Sequence, residues 1–497
     1  MLSLIGTSRR TTYTASEHAH LSRNLLIRWL WLASALYALA AATLVTIHWM
    51  RWQTGVDTGV YTQVVLNTFN GFRSTFESGP HFAVHFSPLL GIFYPLVAIT
   101  HSGLALELAQ VVLVACVPVA LYGFILPHIG EALALRIGFI ALLYPPLAAI
   151  GVGEFHILAC LPLLVIGALW ALDRGRGGLF GLFAGMLLLV REDVLLELLV
   201  IGVVAGIVAL RASHGVGKLF ASPASRRLVG TASIGLGVAA GAVAVLYFGV
   251  IQPAFGHNGW YPLLYYRFGI TRGSVGALAQ PPVGPPPNPS ASLLRQSFER
   301  FTYMLEAFVP LALLPFRTWW WSLAVPGLTI VLAATSASIW TMGSQYALLW
   351  APWLLVATAV AVIQIRATLG EAAARRWTGA AIGLCLVFLI AINPMHLQYF
   401  FRSPYHDLVS AQQALACVPK GASVATHDEW FTHIAGANPR ANGNVVTGVD
   451  YLVYADDYPD ASFEREIKPK LQAEIAAAHV RVLCSFGSVK AYQRTVE

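Results

Sequence analysis

Charge is scarce in this chain. Of its 497 residues only 11% are Asp, Glu, Lys or Arg, and 57% are hydrophobic, whereas soluble domains carry about a quarter charged residues. That composition excludes an ordinary soluble enzyme and points to a polytopic membrane protein. Cysteine is sparse too. Cys116, Cys160, Cys385, Cys417 and Cys484 show no Cys-x-x-Cys and no metal-ligand spacing, which removes zinc-ribbon and thioredoxin-like readings. Cys417 and Cys484 can pair if the C-terminal region is extracytoplasmic, or remain unpaired small core residues. Nucleotide and hydrolase signatures are missing: there is no G-x-x-x-x-G-K-[ST], no G-x-G-x-x-G after a strand and no G-x-S-x-G. Bound ATP is therefore not the expected energy source. The net charge of +7 comes with no basic stripe interleaved with aromatics, so nucleic acid is not an expected partner.

What the chain has in abundance is apolar runs close to the roughly 20 residues that cross a bilayer. They fall near 27–48, 104–126, 132–150, 156–172, 178–191, 193–211, 228–251, 301–316, 319–336, 343–365 and 378–395, about eleven spans of an all-α membrane module. Residues 1–26, with Arg9, Arg10 and Arg23, read as a cytoplasmic tail before an uncleaved first span. Basic residues gather at Arg174/Arg176, at Arg211/Lys218/Arg226/Arg227 and at Arg366/Arg375/Arg376, in short loops of the kind retained in the cytoplasm. With the N-terminus inside, the external segments are a first loop at 49–103, a large loop at 252–300 and everything beyond 398. The parity requires that Pro88 to Thr100, short and interrupted by Pro and Gly, be interfacial or re-entrant. The large loop includes a Pro-rich stretch, Ala277 to Ser290, that reads as an extended linker. Residues 399–497 have the composition of a small soluble extracytoplasmic α/β domain, with strands near Ala422 to Ala425, Tyr451 to Tyr454 and Val480 to Phe486 and a helix from Phe463 to Ala478.

Polar residues in or near apolar spans are costly and usually functional, and here they sort to one side. Asp57, His81, His85, Glu107, Glu154, His156, Glu192, Asp193 and His257 all fall in external loops or at external span ends. Asp57, in Gly55-Val56-Asp57-Thr58-Gly59, is a lone carboxylate between helix breakers just after the first span. Read as the start of an amphipathic helix lying on the membrane, it is a candidate catalytic base or merely an N-cap. His81 and His85 share a helical face, and with Glu154, His156, Glu192 and Asp193 they offer a divalent cation the right ligand types. A hydrogen-bonded network that shapes a pocket is the other reading, preferred for His81 and His156. Arg191 can neutralise an acid in Arg191-Glu192-Asp193. In the large external loop His257, Arg267 and Arg272 sit among Trp260, Tyr261, Tyr265 and Tyr266. Guanidinium groups there can hold a phosphate leaving group, or they belong to an interfacial aromatic belt.

The succession Gly55-x-Asp57-x-Gly59-x-Tyr61-x-Gln63, His85-Phe86-Ser87-Pro88, Glu107-x-x-Gln110, Glu154-x-His156 and Arg191-Glu192-Asp193 resembles the membrane proteins grouped as domain of unknown function 2079, over about residues 27–490. That family is similar in layout to the GT-C superfamily of membrane glycosyltransferases. The resemblance implies that Asp57 is the first-loop acid serving as base or acceptor-orienting group, and that the donor is a polyprenyl-phosphate-linked sugar. Many GT-C enzymes have a second acid beside the first, where this chain has Thr58. The second must come from Glu154, Glu192 or Asp193, which the resemblance makes the remaining catalytic candidates. Tyr61, Gln63, His85, His156, Arg191, His257, Arg267 and Arg272 are the substrate-binding candidates. The expected activity is transfer of a sugar to an unidentified acceptor at the external face of the cytoplasmic membrane. No cofactor is required by the sequence, and a divalent cation stays open. A transporter or flippase of a lipid-linked or small polar solute, and a non-catalytic envelope-assembly protein, are the rival readings; transporters keep their ionisable groups nearer mid-membrane.

Overall fold

The structure, a computed structural model, describes residues 8–211, 223–255, 293–334, 339–401, 407–460 and 463–495. His257, Arg267, Arg272 and the Pro-rich stretch lie outside the described residues. The protein is mostly helical, with a small sheet domain at its C-terminal end.

Among the described residues five helices are long and apolar enough to cross a membrane: Ile27–Met50, Leu104–Ile129, Glu192–Leu210, Leu228–Ala254 and Ala351–Ile392. They belong to α1 (Ser8–Met50), α4 (Leu104–Ile129), α9 (Glu192–Arg211), α10 (Pro223–Leu246) and α13 (Ala351–Ile392). Where the sequence suggested further spans, proline shortens the helices. α5 (Glu131–Leu143) stops before Pro145-Pro146, which start α6 (Pro145–Ile150). α11 (Leu293–Phe308) ends before Pro310, and the chain makes turns until α12 (Val325–Leu332). α7 (Leu161–Asp173) and α8 (Gly177–Leu188) are short apolar helices. Two of the expected spans are joined in α13, which kinks at Gly370, where φ is 84°.

The two ends of this bundle differ in chemistry. At one end His128 bonds Asp173 at 3.0 Å, Arg136 donates to the Arg375 carbonyl at 3.0 Å, and Arg375 pairs with Glu371 beside the kink. This end collects two of the three basic loops. At the other end lie the starts of α4 and α9, the 151–156 loop and α2 (Val56–Leu66). α2 is not an amphipathic helix on a membrane surface, as its sequence suggested. Thr58 through Val65 are all buried, because α2 is enclosed by α3 (Tyr94–Thr100), α4 and the C-terminal domain. Pro88 to Thr100 forms short turns and α3, in keeping with a segment too short to cross.

The C-terminal sheet has the order β4-β3-β5-β7-β6, built from β3 (Val424–Thr426), β4 (Ala441–Gly443), β5 (Tyr451–Ala455), β6 (Val480–Phe486) and β7 (Val489–Arg494). β3 is parallel to β4 and β5, and β7 runs antiparallel to β5 and β6. Three helices pack with it: α14 (Leu408–Ala416), α15 (Asp428–Ile434) and α16 (Lys468–Ala476). Trp430, Tyr454, Tyr458 and Phe463 surround buried His427, whose ring stacks on Tyr458 at 3.6 Å. Cys417 and Cys484 form a disulfide joining the end of α14 to β6.

That disulfide closes a loop with a sequence separation of 67. Changing both cysteines to serine is expected to cost the domain about 2–4 kcal/mol. Hydrogen exchange reads this as faster exchange in β3 and β5 with no change in α13; equal exchange in β3 and β5 would show that the staple is idle.

Candidate functional site

Two polar residues on one face of α4 organise the site. Glu107 and Gln110 are separated by one helical turn, on an otherwise apolar helix, and both are buried. Glu107 accepts a hydrogen bond from the Thr58 hydroxyl of α2 at 2.9 Å, and that hydroxyl accepts from the Phe155 amide at 3.1 Å. Gln110 donates to the carbonyls of Ile150 at 2.7 Å, Gly153 at 3.1 Å and Glu154 at 2.9 Å, and accepts from the His156 amide at 2.8 Å. One side chain thus fixes the whole 150–156 loop. The result is that residues nearly a hundred positions apart meet: the Asp57 amide donates to Glu154 Oε2 at 3.0 Å, and His156 Nε2 lies 3.6 Å from Asp57 Oδ2.

The cap reading of Asp57 does not hold. Gly55 occupies the N-cap position of α2, and Asp57 is in the first turn, where a carboxylate is favoured by the helix dipole. Gly55 is required by close approach, since a Cβ there would occupy the space of the Glu154 carboxylate. The Asp57 side chain is 49% exposed. Burial, then the charge of Asp57, pushes the Glu154 carboxyl up to about 8. Of this pair Glu154 holds a proton at neutral pH. Burial also pushes His156 down to about 4, so its ring is neutral. Tyr61 is buried edge-on against His81, Phe155 and His156 at 5.6–5.9 Å between ring centres, and burial raises its hydroxyl far above the ordinary value. It packs the loops together, in place of the substrate contact its position in the motif suggested.

A second polar group lies at the start of α9. Arg191, only 2% exposed, pairs with Asp193 at 3.0 Å, approaches Glu192 at 3.6 Å and donates to the Tyr346 hydroxyl at 3.0 Å. Glu192 accepts from His85 Nδ1 at 2.8 Å and from the Phe86 amide at 2.7 Å. Glu192, Asp193 and Arg191 are therefore buried and mutually engaged. The roles expected of them in contacting substrate are replaced by structural ones: they tie the His85 loop to α9 because a buried charge is tolerated only when paired. His81 is likewise paired, with Glu77 at 2.8 Å.

Gln63 also departs from expectation. Its amide donates to the Ala441 carbonyl at 2.9 Å and accepts from Ser74, Thr75 and the Thr75 amide at 2.9–3.1 Å. Fully enclosed, it fastens the first loop to β4 instead of meeting a ligand. Gly59 lets α15 approach α2, because a Cβ there would lie 2.8 Å from Phe431 and Thr432, and Thr432 donates to the Gly55 carbonyl at 2.9 Å. α15 brings Asp428 and Glu429 close enough to raise the proton affinity of Glu154. Asp428 is itself pushed up to about 7 by burial and the neighbouring acids Asp460, Glu429 and Asp57. These acids were not among the sequence candidates; acidic residues opening a short helix in a soluble domain carry no mark of membrane-site proximity.

For a divalent cation the donors do not fit. Among the described residues no group of three or more His, Cys, Asp or Glu side chains is disposed to hold a metal ion. The expected ligands are divided among separate pairs, Glu77 with His81, Glu192 with His85, and Glu154 with the Asp57 amide.

The sequence profile described as Predicted membrane protein (DUF2079) matches residues 47–478. The chain belongs to the DUF2079 family. No curated protein matches it. Among solved structures, this DUF2079 chain is similar to the Archaeoglobus fulgidus oligosaccharyltransferase in its apo form, with 14% identity, a TM-score of 0.44 and coverage of 86% of this chain and 69% of that one. It is similar also to oligosaccharyltransferase AglB of Archaeoglobus fulgidus in complex with an inhibitory peptide and a dolichol-phosphate, with 14% identity, a TM-score of 0.43 and coverage of 86% and 70%.

Two outcomes test the site. Replacing Gln110 with the similarly shaped Met strips three carbonyls and one amide of their partner and is expected to cost about 3 kcal/mol in denaturant unfolding; a loss under about 0.5 kcal/mol would show that the clamp is dispensable. The second is a pH dependence. Glu154 binds its proton in the fold up to about 8 but in the unfolded chain only to its ordinary 4.5, so its contribution to stability falls as pH rises through that window. His156 acts oppositely, stability rising with pH between about 4 and 6.5. Thermal melting compared between wild type and Glu154→Gln should show the wild type losing ground from pH 6.5 to 8; parallel curves would refute the raised carboxyl.

Proposed function

We propose that this protein is a membrane glycosyltransferase that moves a sugar from a polyprenyl-phosphate carrier to an acceptor hydroxyl or amine at the extracytoplasmic face. The observation that supports this best is the contrast between Asp57 and its neighbours. Asp57 is half exposed at a membrane-helix end, while Glu107, Arg191, Glu192 and Asp193 around it are buried. Only a group that solvent reaches can touch an acceptor, so Asp57 is the base and the others position it. Glu154 holds the Asp57 backbone by accepting its amide at 3.0 Å.

In the proposed step Asp57 takes the proton of the acceptor nucleophile, whose lone pair attacks the anomeric carbon. The bond from that carbon to the phosphate oxygen breaks, and the lipid phosphate leaves with the electron pair. The proposed step is a single displacement that inverts configuration, since the sequence marks no second carboxylate as a covalent nucleophile. Arg267 and Arg272 are the proposed partners of the departing phosphate, and His257 is a further proposed substrate-binding residue. His85 and His156 hold the loops on either side of Asp57.

Two observations support the proposed orientation. The Arg136, Arg366 and Arg375 end of the bundle is the basic one and suits the cytoplasmic side. The Cys417–Cys484 disulfide at the opposite end suits an oxidising compartment. About eleven membrane passes, several made by short or broken helices, complete the reading, with residues 1–26 cytoplasmic, 27–398 in the membrane module and 399–497 outside.

The test is transfer of label from radiolabelled polyprenyl-phosphate sugars to a cell-envelope extract by the purified protein. Asp57→Asn is expected to reduce turnover by about 10²–10⁴-fold, the range for removing a general base, with unchanged melting. Equal transfer by the variant would remove Asp57 from the reaction. Solute uptake into proteoliposomes, without transfer, would favour a transporter.

A further inference from the structure

Against the 150–156 loop, at Val152 and Gly153, lies a cavity of about 310 Å³. Three segments line it. The first is the end of α6 with its following turn, reaching Gly153 next to Glu154; the second is the stretch leading to Tyr346; the third is the reversal after α13 at Pro394, Met395 and His396. Asn393 and His396 make that reversal with φ values of 47° and 48°, and Asn393 Oδ1 accepts from the Leu397 amide at 3.1 Å. The cavity therefore sits against both parts of the site, touching the Glu154 loop on one side and, through Tyr346, the Arg191 cluster on the other.

We infer that this cavity binds a single neutral sugar ring. The inference rests on the glycosyl-transfer reading and names where that reaction's sugar is held. The lining decides the class of ligand. Among the described residues no Asp, Glu, Lys or Arg lines the cavity, so none of them offers a phosphate or a cation a charged partner there. Thr341, Ser344, Gln345, Tyr346 and His396 supply hydroxyl, amide and imidazole groups, the neutral donors and acceptors that match hydroxyls. Ala149, Val152 and Met395 supply apolar surface for the C–H faces of a ring. Size limits the occupant too: the volume is at the low end of the roughly 300–1,000 Å³ of small-molecule sites, which suits one ring and not an oligosaccharide.

The wall is also preorganised. The Arg191 guanidinium lies 5.0 Å from the Tyr346 ring centre and donates to its hydroxyl at 3.0 Å. The buried ion group at the start of α9 thereby fixes one wall of the cavity. Gln110, through the Gly153 carbonyl, fixes another. A ring held between these walls lies against Gly153, the chain neighbour of the Glu154 that accepts from the Asp57 amide.

The experiment uses the full chain in detergent and a panel of methyl glycosides of glucose, galactose, mannose and arabinose. Binding is read by saturation-transfer NMR, with transfer kinetics measured in parallel. Ser344→Phe fills the cavity, and Gln345→Ala removes one polar group without adding bulk. At least one glycoside is expected to bind wild type and Asp57→Asn equally, to be lost in Ser344→Phe and to bind about tenfold more weakly to Gln345→Ala. In transfer, a KM raised in Gln345→Ala for the polyprenyl-phosphate sugar assigns the ring to the donor, and one raised for the acceptor assigns it to the acceptor. No binding by any glycoside, binding to Gln345→Ala as to wild type, or both KM values unchanged would overturn the inference. Glycoside binding lost in Ser344→Phe in a protein that transfers no sugar would sink the transferase reading and leave the sugar site standing. Transfer that is unaffected by either cavity variant would do the reverse.

Discussion

The arrangement of the site depends on Glu107 and Gln110, a carboxyl and a carboxamide one turn apart on a membrane-length helix. Buried polar groups must find partners, and in an apolar helix they find them only by drawing in other segments. Glu107 draws in α2 through Thr58, and Gln110 draws in the 150–156 loop through three carbonyls and one amide. Both draw their segments toward α4, and this brings Asp57 and Glu154 within hydrogen-bonding distance. Without the α4 pair, the loop carbonyls that Gln110 satisfies would need water or a different fold of the loop.

The same rule explains the Arg191 cluster. Removing charges from water is costly, and a buried ion group often adds little net stability over an apolar one. What it adds here is geometry. Arg191 has a fixed fork, and its contacts to Asp193 and Tyr346, with Glu192 reaching His85 and the Phe86 amide, leave α9, the His85 loop and the 341–346 segment little freedom to shift against one another. A site that orients small groups needs that kind of restraint more than it needs raw stability.

Much of this was legible in the sequence, and the failures have physical causes. The one-sided placement of Asp57, His85, Glu107, Glu154, Glu192 and Asp193 was readable because charge in apolar segments is rare enough to stand out. The strands expected near Ala422 to Ala425, Tyr451 to Tyr454 and Val480 to Phe486 stood out by composition and lie at Val424–Thr426, Tyr451–Ala455 and Val480–Phe486, whereas β7, Val489–Arg494, was missed and β4, Ala441–Gly443, is too short and too glycine- and asparagine-rich to be recognised. Span lengths were harder. Pro145, Pro310 and Pro315 interrupt runs that hydropathy alone sees as continuous. Exposure was not readable at all: Asp57 and Glu192 are the same kind of side chain in similar positions at helix starts, and only the packing of other segments leaves one half open and encloses the other. Gln63 shows the same limit, since nothing in its neighbourhood in the chain announces that Ala441, far along the sequence, will claim its amide.

The C-terminal domain is therefore a wall of the site and not an appendage. Its α15 lies on α2 at Gly59, its β4 receives Gln63, and its acids raise the proton affinity of Glu154. Each contact alone is modest: a hydrogen bond is worth about 1 kcal/mol net. Their effect comes from position, because all of them fall on the helix that carries Asp57. A domain fastened only to the far side of the first loop would leave Asp57 open to water. Fastened here, it encloses the buried face of α2 and leaves the Asp57 side chain half exposed. The disulfide then matters to chemistry as well as to stability, since it joins α14 to β6 and helps to hold rigid the sheet from which α15 is presented.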